Sequence, residues 1–213
     1  MRGNTMNQSE DMKKKAENPG RPEGQAGIDM LKRMNRSHEP LRNWGLPHIH
    51  WVPEMHILDA GCGGGGTIRD LLTLSENSMV DGIDYAEESI TLAGRVNAEA
   101  LGSRLRLTRA DVAELPFDDD MFDAATCVET VYFWPRAVAG LEEIRRVLRP
   151  GGEILILNEA SDPGTTDWSS RYGIPMKIYR PSELADLLET AGFSDVSYDV
   201  GPDGKMLAVC GRK

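Results

Sequence analysis

Glycine dominates the turn that follows one of the apolar runs of this chain. The segment Ile57-Leu58-Asp59-Ala60-Gly61-Cys62-Gly63-Gly64-Gly65-Gly66 has five glycines in its last six positions. Glycine adopts positive φ angles without steric cost, and its lack of a side chain lets a ligand come close to the backbone. An ordinary tight turn needs fewer glycines. The segment therefore predicts a strand that leads into a ligand-binding loop and then a helix.

An acidic residue follows this loop at the spacing expected of a nucleoside site. Gly61, Gly63 and Gly66 satisfy the pattern G-x-G-x-x-G, and Asp84 lies 23 residues beyond Gly61. A carboxylate accepts hydrogen bonds from two donors at once, so Asp84 is expected to bind both hydroxyls of a ribose. These residues alone also fit an NAD(P)-dependent oxidoreductase, and that alternative stays open at this point.

The rest of the chain alternates short apolar runs with longer segments of helical periodicity. Such runs are typical of strands covered on both faces, and repeated strand-helix units imply a parallel sheet. The predicted strands cover residues 55–59, 79–84, 105–108, 124–128, 154–157, 194–200 and 206–212, and the predicted helices 65–74, 86–101, 136–148 and 181–191. The fold class is therefore α/β: a doubly wound, Rossmann-like, mostly parallel seven-stranded sheet with a C-terminal antiparallel hairpin.

Three regions are predicted along the chain. Residues 1–27 are polar and rich in Asn, Glu, Lys, Pro and Gly, which predicts a flexible tail. Residues 28–52 begin with apolar residues at helical spacing and predict an N-terminal helical lid. Residues 53–213 contain the alternating pattern and form the predicted ligand-binding domain.

Composition limits the classes of partner. The 213 residues carry a formal net charge of −10, which disfavours nucleic acid, because nonspecific binding to phosphates needs clustered Lys and Arg. Three widely spaced cysteines fit neither a disulfide framework nor a zinc site, and His48, His50 and His56 lack neighbouring Asp or Cys ligands, so no metal is predicted. The sequence has no apolar signal segment and no membrane-length apolar run. We predict a cytoplasmic protein with no membrane partner.

Several short motifs occur in a characteristic order between about residues 50 and 160. They are Asp59-Ala-Gly-Cys-Gly-Gly-Gly, Gly82-Ile83-Asp84, Ala110-Asp111 followed by Leu115-Pro116-Phe117, Phe122-Asp123, and Leu148-Arg149-Pro150-Gly151-Gly152. Together they resemble the class I S-adenosylmethionine-dependent methyltransferases of the type 11 group. The resemblance implies a Rossmann-like fold, S-adenosylmethionine as cofactor and methyl transfer as activity. The chain departs from the family at Ala86, where relatives often have a Ser as helix cap.

The resemblance also implies a role for each motif in cofactor binding. The implied contacts are Asp59, Ala60, Gly61 and Gly63 for the methionine end of the cofactor, Asp84 for the ribose, Tyr85 beside the adenine or ribose, and Asp111 and the backbone of Val112 for the adenine. Asp111 has an alternative interpretation as a helix cap, since Glu114 follows three residues later as in a capping box.

Candidates for the chemistry lie elsewhere in the chain. The segment Glu129-Thr130-Val131-Tyr132-Phe133-Trp134 follows the fourth predicted strand, on the expected acceptor side. Glu129 is a candidate for neutralising the ammonium group of the cofactor or for acting as a base, with an exposed loop carboxylate as the alternative. Tyr132 and the adjacent aromatics either line an acceptor pocket, face the sulfonium or pack against a helix. His38 is a candidate base or acceptor-orienting group, with a surface or capping histidine as the alternative.

The predicted function is methyl transfer from S-adenosylmethionine to a small molecule, with proximity and orientation as the main catalytic effects. The alternatives are a cofactor-binding regulator or scaffold without turnover, an NAD(P)-dependent oxidoreductase, and methylation of a macromolecule, which the acidic balance disfavours. No obligate protein partner is predicted. Residues 158–177 form a predicted loop from which Trp168, Tyr172 and Met176 could close over the acceptor.

Overall fold

Seven strands form one sheet in the computed structural model, which describes residues 18–213. The strands are β1 (His56–Ala60), β2 (Met79–Asp84), β3 (Leu105–Arg109), β4 (Phe122–Val128), β5 (Leu148–Asn158), β6 (Ser194–Val200) and β7 (Leu207–Arg212). Their order across the sheet is β3-β2-β1-β4-β5-β7-β6. β1 to β5 run parallel, and β7 lies antiparallel between β5 and β6. The predicted fold class, including its hairpin, is confirmed.

Helices precede the sheet and connect its strands, except between β3 and β4 and in the hairpin of β6 and β7, where no helix of the described chain begins. They are α1 (Gly24–Ser37), α2 (Glu39–Gly45), α3 (Gly66–Leu74), α4 (Glu87–Val96), α5 (Ala137–Val147), α6 (Trp168–Tyr172) and α7 (Pro181–Thr190). As expected from the sequence, α4 has Ala86 at its N-cap and no side-chain hydrogen bond there. No helix within residues 18–213 combines the length and apolar character needed to cross a membrane.

The central strands of the sheet are buried on both faces, as a doubly wound fold requires, whereas the edge strand β6 is largely exposed. Side chains alternate along β5: Ile154 and Ile156 belong to the apolar cluster that includes residues of α5 and α7. Leu155 and Leu157 belong to the cluster that includes residues of α2, α3 and α4. Because both faces are covered, the carboxyl edge of the parallel strands is the part of the sheet left open to a ligand.

The start of β5 and the end of α4 differ from the predictions because each depends on contacts with residues distant in the sequence. β5 begins at Leu148, six residues earlier than predicted. Its early part is held by the chain terminus, since Lys213 N donates to Gly152 O at 2.9 Å. α4 ends at Val96, before the predicted end at residue 101, and the side-chain amide of the next residue, Asn97, donates to Gly65 O and Ala93 O at 3.0 Å each. The spacing of apolar residues within a segment predicts neither of these contacts.

The N-terminal helices are anchored to the domain. α1 begins at Gly24, inside the predicted tail, while residues 1–17 of that tail lie outside the described part of the chain. Asn35 Nδ2 donates to Gly64 O at 2.7 Å, and the buried guanidinium of Arg42 donates to Asp70 Oδ2 at 2.6 Å. These contacts hold α1 and α2 against the glycine loop and α3, so the lid segment forms one wall of the site described below.

Candidate active site

The glycine loop bends sharply across the ends of β1 and β2. Gly61 has a φ of +82°, and its N–H donates to Ile83 O at 2.9 Å. A Cβ at this position would collide with the side chain of Thr130, so both the conformation and the close approach require glycine. Gly63, with a φ of +50°, donates its N–H to Asp84 Oδ2 at 2.9 Å. The loop and the acidic residue predicted to act with it are therefore in direct contact.

A cavity of about 440 Å³ opens at the carboxyl edge of the sheet between this loop and the N-terminal helices. Its volume lies within the ordinary range of small-molecule sites. The predicted site residues that line it are Gly61, Gly63, Asp84, Tyr85, Asp111, Val112, Glu129 and His38. Residues far apart in the sequence thus share one cavity.

The carboxylate of Asp84 accepts hydrogen bonds from the glycine loop and from the start of α4. Its Oδ2 accepts from Gly63 N, and its Oδ1 accepts from Ala86 N, both at 2.9 Å. Burial raises the pKa of Asp84 above its usual value, while these backbone donors act in the opposite direction. Each carboxylate oxygen has two lone pairs, so the side chain retains acceptor capacity toward the cavity for a pair of hydroxyls.

Asp111 closes a turn instead of capping a helix. Its Oδ1 accepts from Ala113 N at 2.9 Å, and Arg136 Nη2 lies 4.0 Å from its Oδ2. Within the described chain no helix begins between β3 and β4, so the helix-cap interpretation is wrong. The carboxylate is exposed and lines the cavity beside Val112, as a partner for an adenine amino group must. Half-exposed Tyr85 lines the cavity too, with the Arg109 guanidinium carbon 6.0 Å from its ring centre.

Asp59 and Ala60 lie beneath the loop and do not line the cavity. Asp59 Oδ1 accepts from Thr126 Oγ1 at 2.8 Å, whereas its buried Oδ2 has no hydrogen-bond partner. Burial raises the pKa of Asp59 to about 7. Their predicted contact with the cofactor stays a prediction, and the unpartnered oxygen is one acceptor that a ligand at the loop could satisfy.

Glu129 is buried and held in a fixed orientation at the end of β4. Its backbone has a φ of +57°, which is uncommon outside glycine and is often found at functional sites. Its Oε1 accepts from Tyr132 Oη at 2.9 Å and from the backbone N–H of Glu159, and its Oε2 faces His38 Nε2 at 4.0 Å. Burial, followed by the nearby Glu159, raises the pKa of Glu129 to about 8. The exposed-carboxylate interpretation is wrong.

Tyr132 supports Glu129 from outside the cavity. Its hydroxyl donates to Glu129 and accepts from Ala160 N at 3.3 Å, and its ring meets Trp168 edge-on at a centroid distance of 5.1 Å. Tyr132 does not line the cavity, and its predicted catalytic role stays a prediction. Among its neighbours Phe133 and Trp134 do line it. The aromatic segment therefore serves both predicted purposes, packing and cavity wall.

His38 faces the cavity from the junction of α1 and α2. Its side chain is only 14% exposed and makes no capping hydrogen bond, so the surface and capping interpretations are wrong. Burial, then the neighbouring Arg42 charge, lowers the pKa of His38 to about 4. The imidazole is consequently neutral at pH 7 and can accept or donate a hydrogen bond according to its tautomer.

Two residues at the end of β5, Asn158 and Glu159, were not predicted as site residues. Glu159 Oε2 lies 3.8 Å from His38 Nε2, and Asn158 is fully buried with no partner for either side-chain polar atom. Their position directly after an apolar run could have indicated them, because the carboxyl ends of parallel strands lie at the same edge of the sheet. His38, Glu129 and Glu159 have atoms of metal-ligand type within 4.8 Å of one another. The prediction of no metal stays a prediction.

Comparisons with known proteins agree with this architecture. A glycine loop and two acidic strand-end residues around one cavity define a nucleoside-binding protein of the Rossmann-like class. Residues 57–152 match the family model of a methyltransferase domain. An O-methyltransferase of Pyrenophora dematioidea is 34% identical over 70% of this chain and 57% of its own length. Cycloartenol-C-24-methyltransferase of Arabidopsis thaliana is 36% identical over 53% of this chain and 36% of its own length.

A solved structure has the same fold. It is a chain from the structure of the complex between the Haloferax volcanii Trm112 methyltransferase activator and a methyltransferase. The two chains superpose with a TM-score of 0.78 at 21% identity, over 85% of this chain and 92% of the Haloferax chain. The chain belongs to the class I S-adenosylmethionine-dependent methyltransferases. It spans little more than half the length of one curated relative above and about a third of the other.

Proposed function

We propose that this chain transfers a methyl group from S-adenosylmethionine to a small-molecule acceptor. The observation that carries the proposal is that one cavity joins the nucleoside half of the site to a second half formed by His38 and Glu129. The acceptor lone pair would attack the methyl carbon while the carbon–sulfur electron pair leaves with sulfur, which yields S-adenosylhomocysteine. Such a displacement needs no protein nucleophile, so alignment of the two reactants supplies most of the catalysis.

The proposed cofactor contacts follow the geometry of the lining. Asp84 accepts the ribose hydroxyls, Asp111 accepts from the adenine amino group beside Val112 and Tyr85, and Gly61 and Gly63 lie along the methionine end. Asp59 and Ala60 support this loop from below. Glu129 would face the reacting region with its free Oε2.

A small acceptor is supported by the cavity and by the charge of the chain. The cavity of about 440 Å³ has limited room for an acceptor once a cofactor is bound. The net charge of −10 disfavours nucleic acid as the acceptor. The relatives named above are an O- and a C-methyltransferase, so their names leave the methylated atom open. We place the activity in the cytoplasm, without an obligate protein partner, in keeping with three unpaired cysteines.

The deciding experiment is isothermal titration of the purified chain with S-adenosylmethionine, with NAD and NADP in parallel. Selective micromolar binding of S-adenosylmethionine, followed by acceptor-dependent release of S-adenosylhomocysteine, is the expected result. Retention of a nicotinamide cofactor alone would reassign the protein to the oxidoreductases. Tight binding without turnover across a broad acceptor panel would reassign it to the cofactor-binding regulators, and methyl incorporation into RNA or protein would replace the small-molecule acceptor.

A further inference from the structure

A short segment before α1 lies against the cavity. Residues 18–24 are here named the strap, and three of them, Pro19, Gly20 and Arg21, line the cavity. A turn shapes the start of the strap, since Asn18 Oδ1 accepts from the N–H groups of Gly20 at 2.9 Å and Arg21 at 3.1 Å. The strap therefore has a defined conformation where it meets the cavity.

The strap contacts two opposite sides of the cavity. A Cβ at Gly20 would lie 2.7 Å from Phe133 Cδ1, so the backbone of Gly20 packs directly on that ring. The guanidinium carbon of Arg21 lies 5.5 Å from the ring centre of Tyr85. Tyr85 follows β2 and Phe133 follows β4, and these two strands lie on opposite sides of β1. The strap thus bridges the two walls that flank the glycine loop, which follows β1.

A hydrogen bond outside the cavity joins the far end of the strap to α4. The backbone N–H of Gly24 donates to Glu88 Oε1 at 2.8 Å. Glu88 is near the start of α4 and does not line the cavity. A change at Glu88 therefore loosens the strap without removing a group from the cavity.

The contacts that hold the strap are weak ones. Of its residues only Pro22 is buried. The side chain of Arg21 is 58% exposed, and its ion-pair partner Glu23 lies 3.4 Å away and is also exposed. Exposed ion pairs and exposed cation–π contacts contribute little, and a segment that buries few apolar side chains opens locally at low free-energy cost. The strap can therefore open while the sheet and its helices stay folded.

We propose that the strap is a gate over the cavity, which opens to admit S-adenosylmethionine and to release S-adenosylhomocysteine. The inference rests on the proposed function, because it takes these two molecules as the ligands of the cavity. A gate slows passage in both directions, whereas a side chain that only contacts the ligand changes mainly its rate of release. Weakening the strap should consequently raise the association and dissociation rate constants together and change Kd less than either.

The test measures both rate constants of S-adenosylhomocysteine by surface plasmon resonance on the immobilised full chain. Glu88→Ala removes the acceptor of Gly24 N and should raise both constants about fivefold, the scale of one net hydrogen bond. Glu88→Gln keeps an acceptor oxygen and should retain the wild-type rates. The matched control Glu99→Ala changes an exposed glutamate outside the cavity and should leave both constants unchanged.

A cross-link tests the same gate in its closed position. The Cβ position at Gly20 lies 3.2 Å from Phe133 Cγ, close enough for a disulfide in the double variant Gly20→Cys, Phe133→Cys. The oxidised double variant should bind and release S-adenosylhomocysteine about tenfold more slowly than its reduced form, because the gate cannot open. Peptide mapping distinguishes this disulfide from any bond to a native cysteine.

Several results would overturn the inference. Unchanged rate constants in Glu88→Ala would show that the strap does not limit passage. A faster dissociation with unchanged association would make the strap a contact surface for the ligand instead of a gate. Equal rates in the oxidised and reduced double variant, or failure of the two cysteines to pair, would contradict closure through the contact of Gly20 with Phe133. Failure of S-adenosylhomocysteine to bind the wild-type chain would instead refute the proposed function.

Discussion

The proposed cofactor half and the proposed acceptor half of the cavity are built in different ways. The cofactor half consists largely of backbone: Gly63 donates its N–H to Asp84, and both residues belong to one β-α-β unit. The proposed acceptor half consists of side chains from separate segments, represented by His38 and Glu129, and Glu159 lies next to His38. A backbone cradle fits one invariant ligand, whereas side chains from distant segments can be exchanged independently. Gly63 and Asp84 are therefore connected by one local unit of the chain, whereas His38 and Glu129 meet only through the fold.

The largest expected effect is on the cofactor half, in Gly61→Ala. The new Cβ would collide with Thr130 at a residue whose φ is +82°. We expect cofactor affinity to fall by more than about 100-fold, since backbone strain and the collision each cost about 1–3 kcal/mol. Calorimetry with S-adenosylmethionine measures the loss.

Gly102→Ala is the matched control for this change. Gly102 has a similar φ of +78°, but nothing lies within 4 Å of an added Cβ. It should lower the free energy of unfolding by about 1 kcal/mol without changing cofactor affinity. Equal cofactor binding by the Gly61 variant and the wild type would contradict the backbone description of this half.

Asp84→Ala should weaken S-adenosylmethionine binding by about 1.5–3 kcal/mol, or roughly ten- to 150-fold. The ribose hydroxyls would lose a charged acceptor, and Gly63 N would lose its partner. Asp118→Ala, at an exposed aspartate outside the cavity, provides the control in the same titration. Wild-type affinity in the Asp84 variant would remove this residue from the cofactor site.

His38→Ala tests the acceptor half and should act on turnover alone. Loss of one hydrogen bond to the acceptor predicts about a tenfold lower kcat/KM, with cofactor affinity unchanged. His50→Ala, at an exposed histidine outside the cavity, is the control. A loss of cofactor affinity in the His38 variant would show that His38 contributes to cofactor binding and would contradict its assignment to the proposed acceptor half.

The smallest expected effect is a pH dependence that originates at Glu129. Its pKa is raised to about 8 by burial and by Glu159, so about a tenth of the carboxyl is ionised at pH 7 and about half at pH 8. Only the ionised carboxylate of Glu129 can accept a proton or accept hydrogen bonds with both oxygens. Turnover should therefore rise about fivefold between pH 7 and pH 8, in proportion to the ionised fraction. The other titratable groups facing it are Tyr132, Glu159 and His38, and His38 is already neutral there.

Glu129→Gln should flatten this part of the pH profile, because a glutamine does not titrate. Turnover measured from pH 6.5 to 9 with saturating cofactor provides the comparison. An identical profile in the variant and the wild type would assign the pH dependence to another group.

Most of the fold was predictable because its signals are local. Apolar runs and glycines located β2 and β6 without error and the other strands to within a few residues, except for β5, whose start depends on pairing with Lys213. The glycine loop and Asp84 were predictable for the same reason. Asp111 lines the cavity, but its helix-cap alternative failed because no helix of the described chain begins between β3 and β4.

The family and the order of strands and helices along the chain were predictable from the sequence, because apolar runs, glycine loops and short motifs are formed by residues close together in the chain. Three features are visible only in the folded chain: Glu159 lies beside His38, Tyr132 donates a hydrogen bond to Glu129 from outside the cavity, and Asp59 lies beneath the loop. The physical reason is that strand order brings the ends of β4 and β5 together across about 30 residues of intervening chain, a juxtaposition that no local pattern records.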